Sequence, residues 1–149
     1  MDKTKLLNKF FEMIKKNIFS EPDFRRLMKN KFTPQEVIDF LPYLNSTHPN
    51  YIRYAVFELM SDSGHDSVHL FETYFNEEKN TTITGKIIGY AYKSDNENLI
   101  LAVYSKYPSL STTAIMTLKK MKKYDAIAPF MFSDNINLAN LANEILKKE

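Results

Sequence analysis

Residues 33–64 read TPQEVIDFLPYLNSTHPNYIRYAVFELMSDSG, and this stretch decides the fold class. Thr33 stands three residues before Glu36, the spacing of a capping box, and Val37, Ile38, Leu41 and Leu44 then recur along one side of a helix. Pro42 inside that helix is expected to kink it or to end its regular hydrogen bonding within a turn. A polar break from Asn45 to Asn50 precedes a second apolar series, Ile52, Ala55, Val56, Leu59 and Met60, which Gly64 stops. Two short amphipathic helices joined by a polar turn make an αα-hairpin, and each helix needs a neighbour to cover its apolar stripe.

Upstream, residues 2–19 are expected to form one helix, with Leu6, Leu7, Phe10, Phe11, Ile14 and Ile18 on one side. Ser20 and Pro22 then open a shorter helix over 23–31. Downstream, the segments YAVFELMSDSG, TGKIIGYAYKS, TAIMTLKKMKK and LANEILKKE align with small residues at Ala55, Gly85, Ala114 and Ala142. Leu59, Gly89, Leu118 and Leu146 stand four residues on. A second helix closes each of the first three units, over 67–78, over 97–107 and around 126–132. A small residue at a fixed point of the first helix is expected to let the adjacent helix approach closely. The expected architecture is all-α: an N-terminal helix pair over 1–32 that caps helical repeats over 33–149, within a single domain of 149 residues.

The runs VIDFLPYLNSTHPNYIRYAVFELM and AIAPFMFSDNINLANLANEIL resemble HEAT repeats, over roughly residues 33–148. The Asp-x-x-x-Val-Arg core of such repeats has its counterpart in Pro49-Asn50-Tyr51-Ile52-Arg53, and Gly85 and Gly89 depart from the pattern. The resemblance implies a right-handed α-solenoid of HEAT-like helical hairpins, with a concave face lined by the second helices, used mostly as a binding scaffold. It implies no activity.

Composition narrows the chemistry. With 44% hydrophobic and 26% charged residues the chain is suited to a packed core, and it contains no cysteine, so disulfides, thiol catalysis and cysteine-ligated metal sites are excluded. The N-terminal stretch reads as an amphipathic helix and not as a signal peptide, and the longest apolar run, Leu99 to Tyr104, is short for a membrane span, so a cytoplasmic location is expected. Charge is unevenly distributed: residues 1–31 hold nine Lys/Arg against four Asp/Glu, residues 32–80 two against eight, and residues 81–149 nine against six. An acidic middle between basic ends points to an interaction surface.

Local patterns offer alternatives. His65-Asp66-Ser67-Val68-His69 approximates a zinc-binding HExxH motif with Asp for Glu, the pattern of a metal-dependent hydrolase using His65 and His69, although Gly64 places His65 at or before the helix cap. Lys119, Lys120, Lys122 and Lys123, with Arg25, Arg26, Lys29 and Lys31, would contact phosphates in a nucleic-acid-binding, DNA-repair type scaffold. No glycine loop or activated nucleophile is present in the sequence. The leading expectation is a non-enzymatic protein-binding module of the immunity or antitoxin kind, without cofactor or metal, that covers a basic partner. Its contact residues are expected to be Asp66, His69, Glu72, Asn76, Glu77, Tyr104 and Tyr107, on the acidic stretch 58–78 and the tyrosines of the following repeat.

Overall fold

A computed structural model describes residues 2–27, 31–76 and 81–148, and every regular element among them is helical. The described residues group into two compact units, 1–79 and 80–149. The all-α expectation holds.

The first unit is built around α3 (Asn50–Asp62), in which every residue from Ile52 to Met60 is buried. A helix buried on all sides needs neighbours all round. They include α2 (Glu21–Leu27), a 3₁₀ helix over Gln35–Leu44, and α4 (Ser67–Tyr74), while α1 (Lys3–Lys15) packs on α2 and on the 3₁₀ helix. Phe10 and Phe24 pack with ring centroids 4.5 Å apart, Phe11 stacks on Phe40 at 4.0 Å, and Phe57 meets Phe75 edge-on at 5.8 Å.

Two of the buried α3 residues are charged. Arg53, 2% exposed, donates from Nε to the Leu44 carbonyl at 2.9 Å, from Nη1 to Asn50 Oδ1 at 3.2 Å and from Nη2 to the Tyr74 carbonyl at 3.1 Å. Leu44 and Tyr74 are the last residues of the 3₁₀ helix and of α4, so one guanidinium satisfies carbonyls that each helix end leaves without an intrahelical donor. Glu58, also 2% exposed, accepts from the Tyr54 hydroxyl at 2.9 Å and lies 3.5 Å from Arg25 Nε on α2. Glu58 therefore does not belong to the acidic surface expected over 58–78; its charge is spent inside the unit.

The segment 35–44 differs from the expected α-helix: it winds as 3₁₀ over its whole length. Pro42 has no N–H to give and its ring crowds the carbonyl four residues back in α geometry, and the tighter winding avoids that clash. The capping box is present, with the Thr33 N–H donating to Glu36 Oε1 at 2.8 Å and the Glu36 N–H donating to Thr33 Oγ1 at 3.3 Å.

The second unit contains α5 (Thr81–Lys93), α6 (Glu97–Lys106), a 3₁₀ turn Pro108–Leu110, α7 (Ser111–Lys120), α8 (Tyr124–Ile127), a 3₁₀ helix Ala128–Phe132 and α9 (Ile136–Lys147). Its buried residues include Ile87 and Ala91 of α5, Leu99 and Val103 of α6, Ala114 and Leu118 of α7, and Leu138 and Ala142 of α9. Helices α1, α3, α5 and α7 share one terminator. Asn17, Gly64, Asp95 and Lys122 adopt positive φ, and the next N–H reaches back five residues, as in Ile18 to Met13, His65 to Met60, Asn96 to Ala91 and Lys123 to Leu118. At Gly64 a Cβ would also come within 3.0 Å of the Pro34 ring. The first helix is shorter than the expected 2–19 because Asn17 turns the chain there.

Arg53→Met leaves the Leu44 and Tyr74 carbonyls without their donor, at about 1–3 kcal/mol per buried group. Urea unfolding should register a loss on the order of 3 kcal/mol, and Arg53→Lys should restore little of it because an ammonium cannot fork. The Thr33 N–H, then the Thr33 hydroxyl, with Lys3 nearby, holds the Glu36 carboxyl below its ordinary value of 4.5. Such a group stabilises the fold above its unfolded pKa, and the contribution disappears as pH falls through the lower folded value. Glu36→Gln should flatten the acid limb of the stability profile below about pH 4.5 relative to the parent chain.

Candidate binding groove

The expected contact residues fall in both units. In the first, Asp66 caps α4, its Oδ1 accepting from the Val68 and His69 N–H groups at 3.0 and 3.3 Å. A carboxylate bound there complements the helix dipole. His69, Glu72 and Asn76 are exposed on or just beyond the same helix, and Glu72 has no ion-pair partner among the described residues. Glu77, with Glu78, lies outside the described residues.

His65 precedes the cap, so it and His69 do not form an i,i+4 pair on one helix. Its Nε2 lies 2.9 Å from the Pro34 carbonyl oxygen, where an N–H donates and ties the α3–α4 turn to the start of the 3₁₀ helix. Among the described residues no three His, Asp or Glu side chains converge as a metal-binding set. Of the lysine run, Lys119 and Lys120 end α7, where cations suit the helix dipole, and Lys123 Nζ pairs with Asp95 at 3.6 Å.

In the second unit, Tyr104 stands in a groove of about 570 Å³. One wall is Glu97, Leu101 and Tyr104, at i, i+4 and i+7 along α6; the other is Asp125, Ala126, Pro129, Phe130 and Ser133, from α8 and the segment that follows it. The Tyr104 and Phe130 rings meet at 4.8 Å, tilted by 53°. Neither Glu97 nor Asp125 has an ion-pair or hydrogen-bonding side-chain partner among the described residues. Tyr107 caps α6 with its N–H on the Val103 carbonyl at 2.8 Å, and it does not line the groove. The groove thus retains Tyr104 from the sequence expectation and adds seven residues that were not anticipated. Glu97, Leu101 and Tyr104 share one helix face and were open to discovery by periodicity; the opposite wall is brought there only by packing.

A second, smaller groove of about 280 Å³ runs between α5 and α7, lined by Gly85, Ile88, Gly89, Tyr92, Thr113, Thr117 and Lys120. The expectation of a close helix approach at Gly85 is overturned: a Cβ built on Gly85 or on Gly89 meets nothing within 4 Å. Ala55, Ala114 and Ala142 are fully buried, so small size follows packing at those positions and not at Gly85.

Compared with protein-family models, with curated proteins and with solved structures, the chain matches none. Among the described residues no helix is long and apolar enough to cross a membrane.

Gly85 and Gly89 sit inside a helix with ordinary φ and open space around them. Changing each to Ala should stabilise the chain by about 1 kcal/mol through helix propensity alone, raising the urea midpoint with an unchanged m-value.

Proposed function

We propose that the chain is a non-enzymatic protein-binding module that covers a basic partner, in the manner of an immunity or antitoxin protein. The observation that carries this reading is a set of exposed or half-exposed carboxylates without counter-ions among the described residues: Glu72 on α4, and Glu97 and Asp125 beside Tyr104. Such carboxylates give a surface a negative potential that steers a basic protein toward it and repels an acidic one. Tyrosine beside them adds contact area and a polar tip at small entropic cost. His69 and Asn76, exposed near Glu72, extend the polar part of the contact, and Asp66 and Glu77 belong to the same acidic stretch.

The HEAT-like repeat reading belongs to the same proposal. It is supported by Arg53, which stands where the repeat's arginine would and holds helix ends together, and by buried Ala55, Ala114 and Ala142 on three of the four first helices, α5 with Gly85 being the exception. Stacked helical hairpins of a right-handed solenoid would present the second helices, α4 and α6, to a partner. Action in the cytoplasm is part of this reading.

Affinity capture with the tagged chain from cells of its source should retain a basic protein. Reversing Glu72, Glu77 and Glu78 to Lys should reduce recovery by about tenfold or more, whereas changing Lys119, Lys120 and Lys122 to Gln should leave it intact. The opposite pattern, with salt-sensitive binding to duplex DNA lost in the lysine variant, would sink the reading in favour of a nucleic-acid scaffold.

A further inference from the structure

The groove at Tyr104 has more chemistry than a packing defect would. Its lining is apolar at Leu101, Ala126, Pro129 and Phe130 and carries one carboxylate on each wall, Glu97 from α6 and Asp125 from α8. Close in sequence to the second wall are two of the most exposed large apolar side chains of the unit, Phe132 at 85% and Ile136 at 73%. Phe132 immediately precedes the lining residue Ser133, and Ile136 opens α9 three residues later.

We infer that this groove seats a basic amphipathic helix of a partner protein, an inference that rests on the protein-binding reading above. The volume of about 570 Å³ accommodates large apolar side chains, which displace water from Leu101 and Phe130. A Lys or Arg on either side of that apolar stripe reaches Glu97 on one wall and Asp125 on the other, each of which lacks a cation among the described residues. An acidic helix of the same apolar pattern meets two like charges in the lining and is rejected. A small organic cation would answer the carboxylates but leave Phe132 and Ile136 in water; a helix several turns long covers them. Tyr104 contributes its ring to the apolar wall and, beside Phe130, offers a π face to the arriving cation.

Fluorescence anisotropy tests this with the full chain and two labelled helix-forming peptides that share leucines at i, i+3, i+4 and i+7. One carries lysine on its remaining face and the other glutamate. The leucine–lysine peptide should bind at least about tenfold more tightly than the leucine–glutamate peptide. Glu97→Lys with Asp125→Lys should invert that order, Glu97→Gln with Asp125→Asn should abolish the discrimination, and Leu101→Glu should weaken both peptides. Glu12→Gln, on α1 in the other unit, should change nothing. Circular dichroism confirms that each variant is folded, and the neutral pair provides the charge test if the reversed pair is not.

Equal affinity for the two peptides, or an order unmoved by the charge changes, overturns the inference. So does benzyltrimethylammonium binding that displaces the lysine peptide with equal affinity, which makes the occupant a small cation. A concentration-dependent dimer dissolved by Leu101→Glu makes the occupant a second copy and overturns it as well. If a captured basic protein survives the Glu97/Asp125 reversal, the groove assignment falls while the protein-binding reading stands. If no basic protein is captured at all, it is that reading which falls.

Discussion

One buried guanidinium holds the first unit together. Arg53 lies buried in the first turns of the most enclosed helix, and only Nη1 turns back to that helix, to Asn50. Its nitrogens reach the final carbonyls of the 3₁₀ helix and of α4, while the Phe75 ring lies 4.5 Å from its central carbon. Helix C-termini carry partial negative charge and unsatisfied acceptors, so a forked cation between two of them answers both needs at once. An ammonium has the charge without the geometry. Dehydrating a cation is costly, and hydrogen bonds to fixed carbonyls together with an aromatic face offset that cost only in one arrangement. The register of the hairpin and the position of α4 follow from it.

Glu58 repeats the principle with opposite sign. It lies five residues beyond Arg53 on α3, accepts from Tyr54 and pairs with Arg25 of α2. The apolar residues of α3 supply most of the burial, but apolar contact is non-directional and tolerates sliding. Two charged groups with specific partners specify which neighbour goes where, a role that buried polar groups can serve even when they add little net stability.

The parts of this fold legible in the sequence are those that depend on local pattern. Leu6, Phe10 and Ile14 of α1, Ile52 and Val56 of α3, and Thr33 with Glu36 all stand where periodicity and cap spacing put them. The illegible parts depend on tertiary context. Glu58 reads as part of an acidic surface because nothing local says that it will be enclosed, and nothing local names the two helix ends that Arg53 ties together. Gly64 announces its turn, whereas Asp95 and Lys122 adopt the same left-handed conformation against their own preference, held by the hydrogen bonds that follow them. Gly85 misled in the other direction: a small residue inside a helix suggested close packing, and the space beside it is open. At the groove, Tyr104 was legible as an aromatic on the second helix of a hairpin, but Asp125 and Phe130 belong to a wall that exists only once the chain has packed.

That wall also explains why a groove lies there. Both α4 and α6 are helices of eight residues or more, but the element after α7 is a four-residue helix that passes at once into a 3₁₀ segment containing Pro129. Pro129 cannot donate a backbone hydrogen bond, so α-helical pairing does not continue regularly through it. The tighter segment narrows the wall that faces α6 and leaves concave space beside Leu101 and Tyr104. Local regularity is lost where the exposed apolar side chains and the unpaired carboxylates gather, and such a departure marks a functional surface more often than a lapse in folding. Carboxylates there contribute nothing to a core and would be dispensable if the groove only needed covering. In the proposed reading, their counter-ion comes from a partner outside the chain.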